Sequence, residues 1–217
     1  MSNMTELVFI LDRSGSMGGL ESDTVGGFNA MLSKQKKEDG ECRITTILFD
    51  NEYEILHDRI DIMAVRPITE SEYFVRGQTA LLDAIGKTIN KINSVQKNTA
   101  DEYRADKVLF IITTDGMENA SREYTFESIK GLIERQKSEC GWEFIFLGAN
   151  IDAAEVANSI GIDREYSKSF HNDKEGIALN YEAVSEAAAS FRSSGKGERL
   201  FKGWGTRIDN DFENRKK

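Results

Sequence analysis

The sequence has few of the residues that mark specialised protein classes. Its 217 residues include one proline, two cysteines and two histidines. Cys42 and Cys140 lie far apart and without metal-ligand spacing, which indicates reduced thiols rather than a disulfide framework or a zinc site. His57 and His171 are distant from every motif described below, so a Ser-His-Asp triad has no obvious base. These shortages argue against a disulfide-stapled domain, a cysteine-based zinc domain and a triad hydrolase.

The charge balance and the absence of long apolar runs bear on possible partners. The chain has 37 acidic against 28 basic residues and a net charge of −9. Phosphate contacts require clustered Lys and Arg, so we expect no nucleic-acid partner. No apolar run approaches the roughly 18 residues of a membrane helix, and the first strand starts within a few residues of Met1, leaving no room for a signal peptide. We therefore expect a cytoplasmic protein with no membrane partner.

Apolar periodicity predicts alternating strands and helices. The predicted strands are residues 6–11, 42–49, 53–60, 108–113, 142–147 and 165–170. The predicted helices begin near Asp23, after Thr79, at Phe126, near Ala153 and around Ile177. The connection Asp50-Asn51-Glu52 is too short for a crossover helix, so its flanking strands should pair antiparallel at a sheet edge.

This pattern predicts an α/β fold with a Rossmann-like, doubly wound sheet. We expect six strands, mostly parallel with one antiparallel edge strand, and helices on both faces. Residues 1–192 are assigned to a single domain. Residues 193–217 are assigned to a charged, glycine-containing C-terminal tail.

Oxygen-bearing side chains follow two of the buried strands. Asp12, Ser14 and Ser16 come directly after the first strand, and Asp115 follows the strand 108–113. Thr79 precedes a helix. Ligands of such sheets lie beyond the carboxyl ends of the strands, so these loops should meet at one rim. Hard cations such as Mg²⁺ take oxygen ligands, so the sequence predicts a metal site there.

The motif Asp12-Arg13-Ser14-Gly15-Ser16, followed by the distant Thr79 and Asp115, resembles the metal-ion-dependent adhesion site (MIDAS) of the von Willebrand factor A (vWA) domain family. The resemblance extends over roughly residues 4–192 and is nearest to the intracellular bacterial or phage type. It implies that Ser14, Ser16 and Thr79 contact Mg²⁺ through hydroxyls, with Asp12 and Asp115 held directly or through water. Mn²⁺ is the alternative ion.

The same resemblance implies a non-enzymatic, protein-binding role. Carboxylates held behind water would leave the ion an electrophilic face, which favours an acidic residue of a partner protein as its last ligand. Two alternatives stay open. One is a metal-dependent phosphohydrolase using Asp12, although such an enzyme would want a second Asp where Ser14 stands. The other is a structural subunit of a cytosolic or virion assembly in which the metal is incidental.

Overall fold

Six strands form one twisted sheet in the residues that the computed structural model describes, 4–215. The strands are β1 (Thr5–Asp12), β2 (Cys42–Phe49), β3 (Tyr53–Asp61), β4 (Lys107–Thr114), β5 (Glu143–Ala149) and β6 (Ser167–Phe170). Their order across the sheet is β3-β2-β1-β4-β5-β6. β2 and β3 pair antiparallel at one edge, and every other neighbouring pair is parallel. The predicted fold class is therefore confirmed.

The helices lie on both sides of this sheet. They are α1 (Glu21–Gln35), α2 (Leu81–Asn98), α3 (Phe126–Cys140), α4 (Ala153–Ser159), α5 (Lys174–Ser193) and α6 (Thr206–Arg215). α1 packs against α5, and α2 packs against α3. Within residues 4–215, none of these helices is long and apolar enough to cross a bilayer.

β1 is buried along its whole length, as its unbroken apolar run predicts for a central parallel strand. On the face of the sheet that α1 covers, the ring of Phe9 meets the ring of Phe28 edge to face, with centroids 5.3 Å apart. Such aromatic pairs contribute about 0.5–1.5 kcal/mol beyond the burial of their area. This packing fixes α1 against β1, and the loop between them carries the first motif.

The last turn of α5 is tied to β4 by a buried lysine. Lys107 Nζ donates to the backbone carbonyl oxygens of Phe191, Arg192 and Ser194, at 2.8, 2.7 and 2.6 Å. These carbonyls lie at the helix end, where the last four C=O groups have no partner within the helix. A cation there complements the negative end of the helix dipole.

The segment assigned to a charged tail contains α6 and is packed on the domain. Leu200, Trp204 and Ile208 are buried, and Lys168 of β6 pairs with Asp209 of α6 at 2.7 Å. Leu200 and Trp204 precede α6 and Ile208 lies in it, so their four-residue spacing gives the segment an apolar face to bury despite its charged composition. The assignment of residues 193–217 to a tail is corrected to this extent, and residues 216–217 lie outside the described part. That residues 1–192 form a domain of their own stays a prediction.

Candidate metal centre

The five predicted site residues meet at the carboxyl edge of the sheet. Ser14 Oγ lies 3.1 Å from Ser16 Oγ and accepts a hydrogen bond from Thr79 Oγ1 at 3.1 Å. Ser16 Oγ donates to Asp115 Oδ1 at 2.5 Å. Asp12 ends β1 beside them, and its backbone leads directly into the two serines. The structure thus brings together the three loops that the topology predicted to converge.

Asp12 is held on both of its carboxylate oxygens. Oδ1 accepts from the backbone N–H of Ser14 at 2.7 Å, and Oδ2 accepts from Thr114 Oγ1 at 2.6 Å. The hydroxyl of Tyr73 donates to the Asp12 backbone oxygen. Burial raises the pKa of Asp12 to about 6, although the hydrogen bonds from Ser14 and Thr114 favour the charged form, and the charge of Asp115 raises it further. Thr114 and Tyr73 are supporting residues that the sequence motif does not include.

Asp115 is held by residues from two other loops. Besides the bond from Ser16, Asp115 Oδ2 accepts from Asn172 Nδ2 at 2.9 Å. Burial raises the pKa of this carboxyl, against the hydrogen bonds from Ser16 and Asn172. Among the described residues, no Lys or Arg donates a hydrogen bond to Asp12 or Asp115. Two buried carboxylates without a basic partner make a site that a cation would stabilise.

The loop that carries Thr79 is fastened to the first motif by main-chain and charged contacts. Gly15 N donates to Gly77 O at 3.2 Å, and Arg76 N donates to Arg13 O at 2.9 Å. Arg13 and Arg76 both pair with the buried carboxylate of Asp50, at 3.0 and 2.8 Å. Arg13 is itself fully buried, so the second position of the motif holds the loops together.

The loop after β4 is tied to the start of α2. The Glu118 carboxylate accepts from the backbone N–H of Leu82 at 2.9 Å and from that of Ser121 at 2.7 Å. Asn119 Oδ1 accepts from the backbone N–H of Thr79 at 3.0 Å. Glu118 and Asn119 therefore fix the position of Thr79 relative to Asp115.

The outer side of the site is open and combines a small residue with an apolar one. A Cβ added at Gly116 would lie 3.3 Å from both Ser16 Oγ and Thr79 Oγ1, so this glycine leaves room beside the hydroxyls. Met117 is 72% exposed, whereas Met17 on the other side is buried. Ser16 is exposed as well. A partner approaching the site would meet Met117 and Ser16 first.

The donor set fits a hard divalent cation. It consists of three hydroxyls and two carboxylates, and oxygen donors of this kind are those that Mg²⁺ and Mn²⁺ prefer. Residues 4–215 contain no cluster of three or more His, Cys, Asp or Glu that could hold a metal. A search for clustered carboxylates alone would therefore miss the site, because three of its five residues offer hydroxyls. Ligation by these five residues stays a prediction.

Sequence comparisons do not identify a family for the chain, because no protein-family model and no curated protein matches it. Solved structures do resemble it. The vWF domain of the type V pili tip protein Mfa5 from Porphyromonas gingivalis aligns with a TM-score of 0.62 and 12% identity, over 90% of this chain and 98% of that one. The manganese-loaded TRAP protein of Plasmodium vivax aligns at 0.58 and 17%, over 82% and 73%.

A third similar structure is proximal thread matrix protein 1 from the mussel byssus, with a zinc-occupied MIDAS motif. Its TM-score is 0.57 and its identity 15%, over 87% of this chain and 46% of that one. This chain therefore spans less than half of the mussel protein. At such identities the likeness concerns the fold, and the sheet order and helix layers agree with it: the chain has the von Willebrand factor A fold.

Proposed function

We propose that this chain is a non-enzymatic protein-binding module that uses a divalent cation to recognise an acidic residue of a partner protein. The observation that carries the proposal is the meeting of three hydroxyls with two buried carboxylates at an open rim of the sheet, where no Lys or Arg of residues 4–215 pairs with either carboxylate. The ion would be Mg²⁺, with Mn²⁺ as the alternative.

The roles proposed for the five residues are those that the motif resemblance implies. Ser14, Ser16 and Thr79 would offer hydroxyl oxygens, and Asp12 and Asp115 would act directly or through water. When bound, the ion supplies a Lewis-acidic face to which a carboxylate can bind. Support for a divalent ion comes from the zinc and the manganese named for two of the similar structures.

The surroundings of Asp12 favour binding over phosphoryl transfer. A nucleophilic carboxylate needs an oxygen that can reach the substrate, whereas Asp12 is 2% exposed and both its oxygens accept hydrogen bonds from Ser14 and Thr114. The exposed thioether of Met117 adds an apolar contact for a partner. We further propose the cytoplasm as the compartment and an intracellular bacterial or phage type of vWA protein, on the motif resemblance.

Calorimetric titration with MgCl₂ and MnCl₂ tests the metal. Ser16→Ala removes one proposed ligand from an exposed position, so we expect Mg²⁺ affinity to fall at least tenfold with the fold intact. Ser22→Ala, an exposed serine of α1, is the matched control and should bind like the wild type. Absence of metal binding by the wild type, or equal binding by Ser16→Ala, would contradict the proposal.

A second experiment tests partner recognition. The tagged chain is incubated with lysate in Mg²⁺, then washed with EDTA, and proteins released by EDTA are rebound after Mg²⁺ is restored. We expect release and recovery, and neither for Ser16→Ala. Partners that stay bound during the EDTA wash would favour the alternative of a structural assembly in which the metal is incidental.

A further inference from the structure

The loop between β6 and α5 reaches the candidate metal centre through a single amide. Asn172 Nδ2 donates to Asp115 Oδ2 at 2.9 Å. The opposite amide orientation would place an oxygen against the carboxylate, so the charge of Asp115 fixes which way Asn172 points. Asn172 Oδ1 is buried and has no hydrogen-bond donor among the described residues. The position of this side chain therefore depends chiefly on Asp115.

The residues on either side of Asn172 hold the last turn of α6. His171 Nε2 lies 3.2 Å from the backbone oxygen of Phe212, and the two rings pack with centroids 4.8 Å apart. Asp173 Oδ2 accepts from Arg215 Nη1 at 2.6 Å. Three consecutive loop residues thus contact α6, then Asp115, then α6 again.

The same loop also begins α5, which limits how it can move. Asp173 Oδ1 accepts from the backbone N–H of Gly176 and caps the helix at 2.8 Å. A Cβ at Gly176 would meet the backbone oxygen of His171, so the loop is folded tightly onto the first turn. A displacement of residues 171–173 would therefore shift Asn172 and the contacts to α6 together.

We propose that cation binding at the candidate centre and docking of the last turn of α6 are coupled through residues 171–173, with Asn172 as a positioning residue for Asp115. This inference rests on the proposed function. When α6 is docked, the loop holds Asn172 against Asp115 Oδ2 and fixes the carboxylate. When the last turn of α6 is released, Asp115 loses its donor from this loop and the cation binds less tightly.

Coupling of this kind is reciprocal. If docking of α6 strengthens cation binding, cation binding strengthens the docking of α6 by the same free energy. A cation that fixes Asp115 should also fix Asn172, and through it the contacts of His171 and Asp173 with α6. The docked helix end should therefore exchange its amide hydrogens more slowly when Mg²⁺ is bound. This effect needs no substitution to be measured.

Matched arginine substitutions on α6 test the coupling. Arg215→Ala removes the contact with Asp173, and we expect Mg²⁺ affinity by calorimetry to fall severalfold although Arg215 does not touch the site. Arg207→Ala is the control, because Arg207 lies on the same helix and pairs with Glu182 and Glu186 of α5 instead. Its affinity should equal that of the wild type.

Two further measurements complete the test. Asn172→Ala should lower Mg²⁺ affinity by about 10- to 100-fold, the range for residues that orient metal ligands. Hydrogen exchange of residues 209–215 should slow on adding Mg²⁺ in the wild type and in Arg207→Ala, but not in Asn172→Ala.

The outcomes separate the two proposals. A wild-type chain that binds neither Mg²⁺ nor Mn²⁺ overturns the proposed function and this coupling with it. A wild-type chain that binds Mg²⁺, with unchanged affinity in Arg215→Ala and Asn172→Ala and no change of exchange in α6, overturns the coupling alone.

Discussion

Replacing Asp115 by asparagine should separate metal binding from folding. Asparagine keeps an oxygen that can accept from Ser16, and its amide nitrogen would face Asn172. Asn172 can turn to present its unpartnered oxygen, so the bonds around position 115 can be re-formed. The substitution also removes one of two neighbouring buried negative charges. We therefore expect the metal-free variant to have a free energy of unfolding equal to or above that of the wild type.

The metal response of the same variant should be lost. Ligand present at 100 times its Kd adds about 2.7 kcal/mol to the free energy of unfolding, provided that it binds only the folded state. For a chain of 217 residues, about 1 kcal/mol moves the melting temperature by about 2–4 °C, so saturating Mg²⁺ should raise the wild-type Tm by about 5–11 °C. Asp115→Asn should shift by less than about 2 °C, because it lacks one of the two carboxylates that are proposed to hold the ion.

Thermal melts followed by circular dichroism, in EDTA and in a Mg²⁺ series, provide the assay. Asp101→Asn is the control, since the Asp101 side chain is 91% exposed and distant in sequence from every site loop; it should keep the full shift. The reasoning is refuted if Asp115→Asn melts well below the wild type in EDTA, or if it retains the Mg²⁺ shift.

Three other substitutions test separate parts of the structure. Gly116→Ala should lower Mg²⁺ affinity, because the added methyl group would crowd two site hydroxyls. Gly131→Ala is the control: its Cβ has open space, so Mg²⁺ affinity should stay unchanged and the free energy of unfolding should rise by about 0.5–1 kcal/mol. Equal Mg²⁺ affinities of the two variants would contradict this prediction. Lys107→Met should lower the free energy of unfolding in urea by about 2–4 kcal/mol, because three carbonyls at the end of α5, two of them in buried contacts, lose a charged donor. Lys97→Met, at an exposed position in the last turn of α2, should change it by less than about 0.5 kcal/mol. Burial lowers the pKa of the His57 imidazole below its usual 6.5, so the folded state binds this proton less readily than the unfolded state does. The wild type should therefore lose stability as the pH falls through 6.5, by up to about 1.4 kcal/mol per pH unit. His57→Gln should lack this loss of stability.

Much of the sheet could be predicted, because central parallel strands are buried on both faces and therefore have continuous apolar sequences. The strand Cys42–Phe49 has the predicted bounds, and the helix Ala153–Ser159 begins at its predicted start. The antiparallel edge followed from the short connection between β2 and β3. The meeting of Asp12, Thr79 and Asp115 followed from topology, since carboxyl ends of parallel strands share one edge.

Other parts could not be predicted for physical reasons. Half of the residues of α6 are charged. The apolar face of this segment depends on Trp204 just before the helix and on Ile208 and Phe212 within it, a four-residue spacing that the surrounding charges obscure. Asn172 is one amide in a loop, and neither periodicity nor a motif indicates that it faces Asp115. Arg13 occupies a position where the motif allows any residue, so its burial against Asp50 could be read only from the structure.

The fastening of the site loops has a consequence for ion selectivity. Main-chain bonds from Gly15 to Gly77 and from Arg76 to Arg13, with Asp50 between the two arginines, hold the hydroxyls in place before any ion arrives. Little chain entropy would then be lost when an ion binds, and the same bonds oppose a spreading of the loops to accept a larger ion with more ligands. Ca²⁺ takes 6–8 oxygens at 2.3–2.6 Å and Mg²⁺ takes six at 2.0–2.1 Å. We therefore expect the site to discriminate by ionic radius and to exclude Ca²⁺ at concentrations at which Mg²⁺ binds.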